Sequence, residues 1–302
     1  MSCILKIMLE LHKNNTINKI LLSFSGGQDS MCLLKLLSGL PDLIKTDIFT
    51  IHFDHEWRLD SQINCVYYCF NSNFAKDDEV SSRKWRYQEL ILISQALNIQ
   101  YIATAHTATD KIETVFYNLM RGSGLNGLTS NSEILYLGTG VKIIRPLFHL
   151  SRSELSWLTR KYFIPVWTDS TNFDYHLARN KIRNELMPYM KNQFNPKLDQ
   201  ELCRFIEHLI YEFDYIQSKA CFLYKIMLHP VKKSLNRKIL EKLHPAIKVR
   251  ILSIFLYPIS KNHMTNIIIN EIKESVNRNI FIINSKYYLY LGHSWIHILK
   301  KA

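Results

Sequence analysis

No stretch of this 302-residue chain approaches the ~18–20 consecutive apolar residues that a membrane-spanning helix needs. The apolar start is too short for a cleavable signal and is broken by Lys6, Glu10 and Lys13. The six cysteines, at Cys3, Cys32, Cys65, Cys69, Cys203 and Cys221, form neither a disulfide framework nor a zinc pattern. The Cys65-x3-Cys69 gap is wrong for C-x-x-C and reads as two buried thiols one helical turn apart. Internal repeats and low-complexity tracts are also missing. These absences leave a soluble protein of a reducing compartment, with no membrane partner, as the expectation.

Acidic residues are in short supply, but only in one half. The chain carries 38 Lys+Arg against 26 Asp+Glu, a net charge of +12. Residues 1–150 hold 14 basic and 14 acidic residues, whereas residues 151–302 hold 24 and 12. The asymmetry points to a polyanion held by the second half and chemistry done in the first. With 47% hydrophobic and 21% charged residues the chain is globular. Three hundred residues exceed what one core usually serves, so two domains are expected, 1–192 and a smaller, basic, mainly helical 193–302.

The first half alternates strand and helix signals. Strands are expected at 19–23, 47–53 and 99–104, and helices at 29–37, 80–97 and 110–120. That order predicts an α/β fold, a Rossmann-like parallel sheet with helices on both faces and its ligand crevice beyond the carboxyl ends of the strands. In the second half, Ser151-x-x-Glu154 is a capping-box start for a helix over 152–162. Further helices are expected at 176–190 and 197–228, and the last 25 residues alternate like a small β element.

Each polar motif falls at a strand end. Ser23-Phe24-Ser25-Gly26-Gly27-Gln28-Asp29-Ser30 joins a strand to a helix, so its backbone N–H groups and serine hydroxyls can cradle an anion. No Walker A sequence is present, and Ser23 stands where a nucleophile elbow needs glycine. Asp29 beside a phosphate calls for a bridging cation, inferred to be Mg²⁺; the alternative is a tight turn capped by Asp29. His52-Phe53-Asp54-His55 ends the second strand and suits substrate contacts better than a metal. Arg83 and Arg86 share one helical face, either solvated or set to neutralise phosphate. Asp110 and Glu113 are adjacent on a helix and suit an ammonium group, unless Asp110 is an N-cap with Glu113 at N3. Arg121 precedes a glycine-rich loop over 122–127 that serves as a helix C-cap. Arg179 and Arg183 form a phosphate-contact pair on one helical face.

Together these segments resemble the tRNA(Ile)-lysidine synthetases, within the PP-loop ATP pyrophosphatase superfamily. The resemblance runs from about Lys19 to Tyr189, through S-G-G-Q-D-S at 25–30, H-F-D-H at 52–55 and S-S-R-K-W-R-Y-Q-E-L at 81–90. It continues with T-A-H at 104–106, D-x-x-E-T at 110–114, R-G-S-G-L-N-G-L at 121–128, I-R-P-L at 144–147, D-S-T-N at 169–172 and R-N-K-I-R at 179–183. The glycine loop specifies the superfamily; the D-x-x-E-T and R-G-S-G-x-x-G-L block with R-N-x-x-R narrows it.

The resemblance implies that ATP adenylates the C2 carbonyl oxygen of the wobble cytidine in the CAU anticodon of tRNA(Ile). The ε-amine of free L-lysine then displaces AMP to give lysidine. It further implies that Ser23, Phe24, Ser25, Gly26, Gly27, Gln28, Asp29 and Ser30 bind ATP, with His106 and Arg183, and that Asp29 holds Mg²⁺. Asp110 and Glu113 would bind lysine and, with Asp29 and Arg179, form the catalytic set. Arg83, Arg86 and Arg121 would contact RNA, while the basic second half clasps the tRNA stem with strong salt dependence. The family's H-H-x-D-D reads His106-Thr107-Ala108-Thr109-Asp110 here, so roles of the second histidine and first aspartate do not carry over. The C-terminal region is shorter than in the longest members. A homodimer is compatible with the family. The Ile/Asn/Lys-rich composition suggests a plastid-encoded copy acting in the stroma, with bacterial cytoplasm as the alternative. The rival readings are a PP-loop tRNA thiolase, which would need catalytic cysteines or an iron–sulfur cluster, and a tRNA-binding relic without catalysis.

Overall fold

The computed structural model describes residues 19–39, 46–54, 69–71, 79–137, 140–166, 178–257, 259 and 279–301. Lys19–Phe24 forms β1, Gln28–Ser38 α1, Asp47–Asp54 β2, Cys69–Asn71 β3, Glu79–Ala96 α2, Tyr101–Thr104 β4 and Ala108–Met120 α3. A one-turn helix α4 (Leu125–Leu128), β5 (Ile134–Tyr136), β6 (Lys142–Ile144) and α5 (Arg152–Lys161) follow. Beyond them lie α6 (Ala178–Lys181), a π-helical turn (Ile182–Leu186), α7 (Met187–Gln193) and the long α8 (Leu198–Met227). The chain continues with β7 (Ser234–Asn236), α9 (Arg237–Lys242), α10 (Pro245–Leu256), β8 (Ile280–Ile282), β9 (Tyr287–Leu291) and β10 (Trp295–Lys300).

The first sheet has the order β3-β2-β1-β4-β6-β5. All its pairings are parallel except β5 with β6. In β1, Ile20 and Leu22 pack into one core cluster and Leu21 into the other, so a continuous apolar run buries both faces of a central strand. The chain moves from β1 outward through β2 and β3, then returns to β4 on the other side of β1. That reversal places the crevice at the carboxyl ends of β1 and β4. In register, Ser23 stands beside Thr104 there.

The expected strand–helix order holds, with local differences. β3, β5 and β6 are three-residue strands, too short to carry a periodic signal, and were not expected. Cys69 begins β3; its expected partner Cys65, like His55 and the 169–172 motif, lies outside the described residues. The helix expected over 176–190 is interrupted by the π-helical turn. Pro188, in the first turn of α7, has no N–H to give and its ring crowds the preceding carbonyls, which favours a wider turn there.

The described residues fall into two compact units that divide between Glu207 and His208, later than the expected 192/193. The first part of α8, through Glu207, belongs to the first unit, and Ile206 within it is buried. In the second unit four antiparallel strands in the order β7-β10-β9-β8 cover a core of Ala220, Met227, Phe255, Leu289 and Ile296. The terminal alternation is visible in β8 and β9, where Phe281 and Leu289 are buried and Ile282 and Tyr290 are not. No described helix is long and apolar enough to cross a membrane.

One ionic contact in the first unit predicts a pH effect. His149 Nε2 lies 3.5 Å from Glu133, and its Nδ1 lies 3.8 Å from Glu207. Hydrogen bonding to Glu133 raises the imidazole pKa against the opposing effect of burial; the Glu133 and Glu207 charges add to the rise and Lys111 opposes it. The stability this contributes is complete below the ordinary histidine value and is lost as pH rises through the higher folded value. His149→Gln should therefore flatten the fall in urea midpoint as pH rises above the ordinary histidine value of about 6.5. An unchanged slope would assign that pH dependence to other groups.

Candidate active site

A cavity of about 260 Å³ opens at the carboxyl ends of β1 and β4. Its floor is the loop from β1 to α1. Gly26 has φ +77°, in the left-handed region where a side chain is strained, and Gly27 is the N-cap of α1 with no side-chain cap. The first N–H groups of α1 are thus left for an anion. Ser25 Oγ and Ser30 Oγ are 3.2 Å apart at this mouth, and the Ser30 hydroxyl donates to the Gly27 carbonyl at 2.9 Å.

The opposite wall is acidic and is held by arginines. Thr107 caps α3: its hydroxyl accepts from Asp110 N, while Asp110 Oδ2 accepts from Thr107 N at 2.9 Å and from its hydroxyl at 3.0 Å. The capping box therefore sits three residues earlier than the Asp110–Glu113 alternative read from sequence, and Glu113 is not part of it. The other oxygen, Asp110 Oδ1, lies 3.3 Å from Arg183 Nη2 and 3.6 Å from Arg152 Nη2. Glu113 is 2% exposed and takes a bidentate pair from Arg183, Nε at 2.6 Å and Nη2 at 2.7 Å. Arg183 projects from the π-helical turn.

Arg152 ties the two walls together. Its Nη2 lies 3.4 Å from Asp29 Oδ2 and also faces Asp110, and its Nε is buried with no hydrogen-bond partner among the described residues. Burial raises the Asp29 pKa, Arg152 opposes the rise, and Asp110 adds to it. The start of α5 that presents Arg152 is fixed by the expected capping box of Ser151 with Glu154 and by Arg152 N donating to Thr109 Oγ1 at 3.2 Å.

His106 is held by a 3.0 Å contact of Nδ1 with Thr104 Oγ1. Burial, and then the Arg145 charge, push its pKa down to about 3 against the pull of Asp110, so the ring is neutral at pH 7. No cysteine among the described residues lines the cavity. The buried Cys32 thiol is pushed up to about 11 by burial and by Asp29, which keeps it protonated.

The cavity brings together Ser23, Ser25, Ser30, Arg83, Arg86, His106, Asp110, Glu113, Arg179 and Arg183 from three strand–helix units and the later helices. Asp29 joins them through Arg152. The Phe24 side chain belongs to the core, and Gln28 Nε2 donates to Ser156 Oγ at 2.8 Å, so neither side chain lines the cavity. Arg121 is exposed outside it, donating to the Tyr117 hydroxyl at 3.0 Å. His52 is buried and its Nδ1 meets the Phe24 carbonyl at 3.1 Å, a structural contact. Sequence reading missed Arg152, whose only signal was its place directly after a capping serine. It also gave no role to Tyr87, Thr114 or Asn131 of the lining, which carry no spacing signal of their own.

The PP-loop domain family matches residues 3–190. The chain is 37% identical to the chloroplastic tRNA(Ile)-lysidine synthase of Pyropia yezoensis, over 98% of this chain and 95% of that protein. Identity is 33% to the chloroplastic tRNA(Ile)-lysidine synthase of Gracilaria tenuistipitata var. liui, over 92% of each. It is 35% to the tRNA(Ile)-lysidine synthase of Nostoc sp., over 78% of this chain and 76% of that protein. A glycine loop at a strand end, a carboxylate pair across the cavity and likeness over nearly the whole length agree: the chain belongs to the tRNA(Ile)-lysidine synthase family of PP-loop enzymes.

Proposed function

We propose that the chain joins free L-lysine to C2 of the wobble cytidine in tRNA(Ile) with the CAU anticodon, using ATP and forming lysidine. The observation that carries this reading is the juxtaposition, in one cavity, of an uncapped helix N-terminus suited to phosphates with an acidic pair suited to an ammonium. In the first step the C2 carbonyl oxygen attacks the α-phosphorus of ATP and pyrophosphate leaves. In the second the lysine ε-amine attacks C2, the C2–N bond forms, and the C2–O bond breaks with release of AMP.

The loop at 25–30 would hold the phosphates through backbone N–H groups and the hydroxyls of Ser25 and Ser30, with Arg179 and Arg183 neutralising charge. Asp110 and Glu113 would orient the ammonium, and one of them would take the proton that the amine must lose before attack. His106, neutral, can hydrogen-bond the nucleotide without adding charge. Arg83 and Arg86 would meet RNA phosphate at the mouth. No group of three or more His, Cys, Asp or Glu among the described residues could hold a metal. The fit to Mg²⁺ is therefore Asp29 with phosphate oxygens and water, an all-oxygen set of the kind this ion prefers. Bound there, the ion would offset phosphate charge. The chloroplastic relatives support the plastid stroma as the place of action.

Incubation with ATP, Mg²⁺, labelled lysine and a CAU transcript should leave label on the RNA, and replacing the wobble cytidine with uridine should remove it. Equal labelling of the two transcripts would overturn the proposed target.

A further inference from the structure

We propose that the outer face and carboxyl end of α5 form a stacking platform for an unpaired base of the RNA substrate, built from Trp157, Lys161 and Phe163; the identity of that RNA rests on the function proposed above. Leu155 and Thr159 turn the inner face of α5 into the core, while Trp157 is 54% exposed and Tyr162 is 47% exposed. Trp157 and Lys161 are one turn apart, and the Lys161 Nζ lies 4.6 Å from the Trp157 ring centroid and 5.7 Å from that of Tyr162. Arg160 is exposed beside them.

Phe163 is the informative residue. The helix ends in a Schellman pattern, with Ile164 N donating to the Thr159 carbonyl at 3.0 Å and Phe163 N to the Arg160 carbonyl at 3.4 Å. The first residue past the cap of this pattern, Phe163 itself, must be left-handed and is ordinarily glycine; its φ is +48°. The ring gains no packing in return, because Phe163 is 92% exposed. An aromatic side chain held in solvent at a strained position, directly after the Tyr162 ring that Lys161 faces along with the Trp157 indole, is the arrangement that single-stranded nucleic acids use: aromatic faces for bases and cations for phosphates. A protein partner would match the apolar rings equally well, but two adjacent cations, Arg160 and Lys161, suit phosphate. The platform is also well placed. α5 begins at Arg152, which faces Asp110 of the cavity lining, and its ten residues span about 15 Å, so a base a few nucleotides from the reacting cytidine can reach its far end.

The test uses the full-length protein and a CAU tRNA(Ile) transcript at fixed ionic strength. Trp157→Ala and Phe163→Gly should each weaken RNA binding by roughly 5- to 100-fold, with the catalytic loss appearing in KM for tRNA. Lys161→Ala should weaken binding and reduce its salt dependence. Phe163→Gly should leave the thermal midpoint the same or higher, because glycine suits the left-handed position. Unchanged Kd in the Trp157 and Phe163 variants would overturn the platform even with lysine transfer intact, as would a midpoint lowered by Phe163→Gly. A wild-type protein that transfers no lysine but binds RNA through Trp157 and Phe163 would keep the platform and overturn the lysidine reading.

Discussion

Glu113→Gln is expected to cut lysine transfer to tRNA by ~10²- to 10³-fold while tRNA-dependent pyrophosphate release persists. The substitution keeps the side-chain volume and one acceptor for the bidentate arginine, so Arg183 stays anchored through that oxygen and through Asp110. What it removes is a formal charge on a side chain that is 2% exposed, where an ammonium ion finds little water to replace a lost partner. A split between the two half-reactions is therefore the signature of a lysine site. Parallel loss of pyrophosphate release and lysine transfer would instead move Glu113 to the nucleotide side of the cavity.

Asp29→Asn should have the opposite pattern, removing pyrophosphate release and lysine transfer together by about 10³-fold. Asp29 stands at the start of α1, where the charge of bound phosphates and their cation would be concentrated, and its carboxylate contacts Arg152. The same change should not weaken the fold at neutral pH. Burial raises the Asp29 pKa, so the ionised form is less favourable folded than unfolded, and its contribution to stability falls as pH rises through that range. A neutral amide of the same shape relieves this cost while Arg152 retains Asp110. Loss of activity with an unchanged or higher thermal midpoint would mark a residue kept for function against stability. A large drop in the midpoint would make Asp29 a structural partner of Arg152 and remove the basis for placing the cation there.

The polar residues that cluster at the cavity were legible because chemistry at a strand end leaves short, recognisable strings. The serine–glycine loop, the Asp110–Glu113 spacing and the Arg179–Arg183 pair could each be read in isolation. The competition at Asp110 could not be resolved that way: one carboxylate oxygen completes the capping box of α3 from the N3 position, while the other faces two guanidinium groups across the cavity. Arg152 was invisible because its partners, Asp29 and Asp110, are far away in sequence and meet it only through the packing of α5. The π-helical turn depends on a proline that periodicity counts as one residue among many. Phe163 shows the same limit: only the backbone reveals that it occupies a position suited to glycine.

The central claim, that this cavity joins lysine to a cytidine, is tested most directly by identifying the product nucleoside. The CAU transcript would be treated with the protein, ATP, Mg²⁺ and lysine, digested to nucleosides and analysed by mass spectrometry. The account predicts cytidine at the wobble position carrying a lysine through its ε-nitrogen, in amounts matching the pyrophosphate released. A sulfur-substituted cytidine, or unmodified cytidine with ATP unconsumed, would contradict it.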